Sequence, residues 1–111
     1  MQNNDFIRLQ HMLDAAREAE SFIQGKTRNT LDNDRQLVFA LVKLVEIIGE
    51  AAGRISPELR NETPQIRWSE IINMRNRLIH AYFDTNLDTL WNTLVQDLPQ
   101  LITELEKIID E

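Results

Sequence analysis

Aliphatic side chains recur every three or four residues along most of this chain, and no stretch alternates polar and apolar positions, so the pattern is helical throughout. The first predicted helix runs from about Asp5 to Gln24, with Phe6, Leu9, Leu13, Ala16 and Ile23 on its apolar side, and stops at Gly25. A polar loop over 26–32 leads to a second helix, capped by Asn33 or Asp34 and ending near Ile55. Ser56-Pro57-Glu58 has the order cap, proline at the first helical position, acid in the first turn, which predicts a short helix to about Glu62. Thr63-Pro64 then turns the chain. A third main helix spans Trp68 to about His80 or Ala81, and Asp84, Thr85 and Asn86 form the loop to a fourth. There Leu87, Leu90, Trp91, Leu94, Leu98, Leu101, Leu105 and Ile108 keep the apolar period across Pro99, whose missing N–H predicts a kink or break. The expected architecture is an all-α antiparallel bundle of four main helices, one domain over residues 1–111, with a short extra helix near 57–62.

The second helix carries more apolar surface than one neighbour can cover. Leu37, Leu41, Leu44, Val45, Ile48, Ala52 and Ile55 fill a central arc, and Val38, Ala40, Val42, Ile47 and Ala51 widen it past half the circumference. Gly49 and Gly53, four apart at one border, would let another helix approach closely. This surplus predicts a homodimer interface on the second helix.

Composition narrows the function. With 111 residues and 42% hydrophobic content, the chain can build one modest core. It has no cysteine, so disulfides, thiolate metal sites and a cysteine nucleophile are excluded. No basic segment leads into an apolar run and no window reaches the length of a membrane span, so a cytoplasmic protein without membrane contact is expected. The net charge of -6 argues against a protein that coats nucleic acid, yet residues 54–77 hold five arginines (54, 60, 67, 75, 77) against three glutamates. Acid is concentrated in Asp97 to Glu111. The two histidines lie far apart, no carboxylates cluster and no glycine-rich loop is present, so neither a metal nor a cofactor is expected.

Chemistry is gathered in Met74-Arg75-Asn76-Arg77-Leu78-Ile79-His80-Ala81-Tyr82-Phe83. Two arginines supply permanent cations suited to phosphate, His80 a proton donor or acceptor near neutral pH, and Tyr82 a hydroxyl. On a helical wheel Arg75 and Tyr82 fall within the apolar arc of Ile71, Met74 and Leu78, whereas Asn73, Asn76 and His80 fall on the polar side. A cation in a core-facing stripe needs a partner. Arg75 either forms a structural ion pair, with Glu46 or Glu50 of the second helix as candidates, or borders a cleft that binds an anion. For Glu50 an i, i+4 pair with Arg54 on a solvated face is the simpler reading. His11 has no such company and is expected at the surface. Arg75 and His80 are separated by about 140° on an ideal helix, so they meet only if the helix ends before His80 or if two copies of it face each other across a twofold axis.

These segments resemble the HEPN superfamily of small α-helical proteins, and within it the HepT-type toxins of HEPN/MNT toxin–antitoxin pairs (type VII). The similarity lies in Val45-Glu-Ile-Ile-Gly-Glu-Ala-Ala52, Trp68-Ser-Glu-Ile-Ile72, the Met74–Phe83 decapeptide and Asp97-Leu-Pro99, and spans nearly the whole chain. The resemblance implies a ribonuclease toxin with Arg75 and His80 as catalytic pair, Asn76 as the usual polar residue after the arginine, and the cleft at a homodimer interface; Arg77, Glu46 and Glu50 are expected in support from the residue pattern itself. It also implies a partner, an MNT-type nucleotidyltransferase antitoxin that uses ATP and magnesium on its own side and neutralises the toxin by AMPylating Tyr82. Added nucleotide would put bulk and negative charge beside Arg75, in competition with substrate phosphate.

The expected mechanism is metal-independent. The ribose 2′-hydroxyl attacks the adjacent phosphate, His80 transfers the proton, and Arg75 stabilises the developing charge. A compact acidic protein with one local cationic cleft fits a structured RNA read by shape, which leans toward transfer RNA over messenger RNA. The alternative is a non-catalytic helical subunit that only presents a surface to the nucleotidyltransferase.

Overall fold

The computed structural model describes residues 2–79 and 86–110, the side chains of Arg75, Arg77, Leu78 and Ile79 apart. The described elements are all helical: α1 (Asn3–Ile23), α2 (Thr30–Asn33), α3 (Arg35–Gly53), α4 (Pro57–Glu62), α5 (Trp68–Ile79), α6 (Leu87–Asn92) and α7 (Leu98–Asp110). No described residue lies in a strand, and no described helix is long and apolar enough to cross a membrane.

Local chemistry sets the boundaries. Gly25 ends α1 in the left-handed region, φ +74°. Asp34 caps α3 by accepting from Leu37 N at 3.0 Å, Ser56 Oγ caps α4 by accepting from Leu59 N at 3.2 Å, and Asn86 caps α6 by accepting from Thr89 N at 3.1 Å. The segment expected to be loop between α1 and α3 contains the helical turn α2, because Leu31, 3% exposed, anchors it in the core. Arg28 ties this turn to α6, donating to Asp32 at 3.2 Å and to Asp88 at 2.6 Å.

Pro99 acts one step ahead of where the sequence places the break. Residues Thr93–Asp97 form a π turn between α6 and α7, closed by Leu98 N–H donating to Thr93 O. Widening the turn accommodates the donor that proline lacks, and the helix continues without a loop.

In the core α3 packs between α1 and α5, and α1 packs on its other side against α7. Two helices of the same chain therefore cover the central arc of α3, while Leu37, Ala40 and Ile47 stay half-buried. Leu41, Val42, Val45, Ile48 and Ala52 are at most 1% exposed, and a Cβ at Gly53 would meet nothing within 4 Å, so this glycine serves no close approach within the chain. α1 buries Leu9, Leu13 and Ala16 and packs Ile23 against the core as expected, and Phe6 is the exception. Phe6 lies 44% exposed, while Met12, Ala15, Ala16 and Ala19 face inward, the alanines suiting a close contact. The inward position at the start of α1 goes to Asp5, 3% exposed. Its carboxylate accepts from Ser56 N at 2.9 Å and Ser56 Oγ at 2.6 Å, pinning α1 to the cap of α4. A second buried relay joins α4 to α5: Trp68 Nε1 donates to Thr63 Oγ1 at 3.0 Å, which donates to Leu59 O at 2.7 Å.

Candidate functional site

Helix α5 holds the expected site positions 75–77, and its described side chains follow the wheel. Ile71 and Met74 are 7% and 4% exposed and Ile72 is half-buried, whereas Ser69, Glu70, Asn73 and Asn76 are exposed. The helical backbone extends through positions 75 and 77, but the side chains of Arg75 and Arg77 lie outside the description, and His80 and Tyr82 lie outside the described residues. Asn76 sits on the solvent side, as its place on the wheel requires.

The two supporting carboxylates are placed differently. Glu50, with a side chain 55% exposed, pairs with Arg54 at 3.3 Å, the i, i+4 pair read from the sequence. Glu46 is drawn in, its side chain 18% exposed, with Lys43 Nζ at 3.8 Å. Since α3 packs against α5, Glu46 is the carboxylate placed on the better-covered side of that helix. His11 is exposed, as expected. Among the described residues no three His, Cys, Asp or Glu side chains gather as metal ligands would.

Two cavities flank the start of α5, and the sequence indicated neither. One, of about 570 Å³, separates α5 from α7; its charged lining is Arg67, Glu70, Asp97 and Glu104, a net negative set. The other, of about 550 Å³, lies on the α4 side; its charged lining is Arg60, Arg67 and Glu70, a net positive set, with Ser69 and Asn73 beside them. The signal that could have located the second was the arginine excess over residues 54–77, which contains both of its cations. Arg60 is partly structural, since its Nη2 donates to Ala52 O and Gly53 O, both at 3.1 Å, and closes the end of α3. Arg67 makes only an exposed i, i+3 pair with Glu70 at 3.5 Å, of a kind worth little in water.

Comparison with known proteins places this arrangement. The model of the family described as ribonuclease HepT-like matches residues 12–108, from the middle of α1 into the last turn of α7. A probable ribonuclease HepT of Thermococcus cleftensis is 40% identical over 75 residues, 68% of each chain. A protein of Methanocaldococcus jannaschii, named as a candidate RNase, is 32% identical over 98 residues, covering 88% of this chain and 90% of the relative. Another so named, from Caldanaerobacter subterraneus, is 31% identical over 103 residues, covering 93% and 92%. No solved structure matches. An all-α chain matched over this length, with relatives matched over most of their own, belongs to the HepT-like ribonuclease family of the HEPN superfamily.

Proposed function

We propose that this ribonuclease is the toxin of a HEPN/MNT toxin–antitoxin pair, a metal-independent endonuclease that cleaves RNA with Arg75 and His80 and is silenced by AMPylation of Tyr82. The observation that carries this reading is the family match over 12–108, which spans the whole Arg75-x4-His80-x-Tyr82 segment. The ribose 2′-hydroxyl attacks its own 3′-phosphate, His80 moves the proton, and Arg75 takes up the charge growing on the phosphoryl oxygens, leaving a 2′,3′-cyclic phosphate and a 5′-hydroxyl. DNA, lacking the 2′-hydroxyl, resists. Asn76, exposed next to Arg75 in sequence, and Arg77 support binding, and the inward Glu46 holds Arg75 more plausibly than Glu50, which is engaged with Arg54. Transfer RNA is the proposed substrate class.

Silencing is direct in this scheme. The Tyr82 phenolic oxygen attacks the α-phosphate of ATP on the partner nucleotidyltransferase, pyrophosphate leaves, and the attached AMP carries a phosphate into the cleft. The test is induced expression with and without the neighbouring nucleotidyltransferase gene, followed by intact-mass measurement. Growth arrest by the chain alone, its loss in His80→Ala, and AMP-sized mass increments on a Tyr82 peptide after co-expression are the expected results. Harmless expression of the unmodified wild type would instead make the chain a non-catalytic binding subunit, and a product ending in a 3′-hydroxyl would refute the mechanism.

A further inference from the structure

The α4-side cavity has no role in the chemistry proposed above. Its walls hold two guanidinium groups, Arg60 and Arg67, and two neutral hydrogen-bonding side chains, Ser69 and Asn73; the one carboxylate on them is Glu70. Arg60 Nε is a buried donor with no acceptor among the described residues. The Glu70 carboxylate is held only at 3.5 Å from Arg67, with both side chains well exposed, so an incoming anion can displace it. The neighbouring α7-side cavity adds Asp97 and Glu104 and would repel the same anion. Arg67 and Glu70 line both cavities, so Arg60 makes the α4 side net positive while Asp97 and Glu104 make the α7 side net negative, and the α4 side suits phosphate better.

The helix spacing connects this cavity to the proposed cleft. Ser69, Asn73 and Asn76 fall on one exposed stripe of α5, and the sequence spacing carries that stripe on to His80. Asn76, on the same stripe, lies about 10 Å along the helix axis from Ser69, at 1.5 Å per residue. A nucleic-acid strand laid along the stripe would put one of its backbone phosphates over the cavity while another lies at the catalytic end.

We infer that the cavity between Arg60, Arg67 and Asn73 is a second phosphate-binding subsite, holding a non-scissile phosphate of the RNA substrate. The inference rests on the ribonuclease reading for its ligand. It accounts for how an acidic protein retains RNA: one local cationic track substitutes for a basic surface.

The test measures binding separately from cleavage. Fluorescein-labelled oligouridylate and total transfer RNA are titrated by anisotropy with His80→Ala, and with His80→Ala carrying Arg67→Ala or Asn73→Ala, across a range of salt concentrations. Arg60→Lys, which keeps the cation, is added because removing Arg60 outright also uncaps α3. Losing one phosphate contact should lower the slope of log affinity against log salt by about 0.7 and weaken binding several-fold near physiological salt. In the His80-competent background KM should rise while kcat stays within about twofold. Unchanged affinity and slope in Arg67→Ala would overturn the subsite, as would no RNA binding by the parent protein. If the wild type binds RNA but never cleaves it, the catalytic reading fails, and the salt slope still decides the subsite.

Discussion

Replacing Asp5 by alanine should cost this protein about 2–3 kcal/mol. The carboxylate is 3% exposed and accepts two hydrogen bonds from one residue, Ser56 N at 2.9 Å and Ser56 Oγ at 2.6 Å. Bonds to a charged group are worth about 1.5–3 kcal/mol each, but a shared partner makes two of them less than additive. Two terms reduce the cost: burying a carboxylate already carries a desolvation penalty that alanine removes, and Ser56, only half-buried, can recruit water. One term restores it, since Ser56 also caps α4 through Leu59 N and loses its orientation. Urea unfolding followed by tryptophan fluorescence is the assay, with Asp5→Asn expected to lose about half as much because one acceptor oxygen survives. In the double-mutant cycle with Ser56→Ala the coupling should be about 1.5 kcal/mol. A loss under about 0.5 kcal/mol in Asp5→Ala, or a coupling near zero, would refute the claim that this bond pair ties α1 to α4.

Arg75→Ala should leave a folded protein, with a melting temperature within about 5 °C of wild type, but abolish RNA cleavage; loss of folding would make Arg75 a structural ion-pair member instead. Mixing Arg75→Ala with His80→Ala after joint refolding should recover about a quarter of wild-type cleavage if each cleft takes one residue from each copy, and none if a single chain builds the site. Leu98→Ala, at a fully buried position beside the π turn, should destabilise by about 2–4 kcal/mol in the same urea assay. Arg17→Ala should cost less than about 1 kcal/mol despite a 2.7 Å bond to Glu106, because both side chains are about half exposed.

The helices were legible because their ends carry their own chemistry. Asp34 and Ser56-Pro57 announce caps in the sequence, Gly25 announces a stop, and each does so through contacts made within a few residues; Asn86, read as loop, also proves to be a cap. What escaped the sequence depends on distant partners. Asp5 reads as an ordinary first-turn acid until α4 is brought beside it, and Phe6 reads as core for the same reason. Leu31 was hidden as a lone apolar residue in a polar stretch, although one buried leucine suffices to fold a turn around it. At the site, the sequence located the residue types on α5 and the Glu50–Arg54 pair, while the opposite charge of the two cavities required knowing which helices face Arg67.

The same packing changes the argument for a dimer. Read alone, α3 had too much apolar surface for one partner; in the fold α1 and α5 cover its central arc, while Leu37, Ala40 and Ile47 stay half-buried and Phe39 exposed. The separation of about 140° between Arg75 and His80 on an ideal helix points to a different face. A composite cleft requires the twofold axis to pass beside the C-terminal half of α5, where Asn76 is exposed. Such an interface would include Asn76, whose side-chain amide can hydrogen-bond across the axis. It also leaves the Ser69 and Asn73 end of the stripe open, so RNA can enter from the α4 side over Arg60 and Arg67 and reach the axis along α5. A dimer contact there and a phosphate track at the Ser69 end would occupy opposite ends of one helix, so the two proposals can hold together.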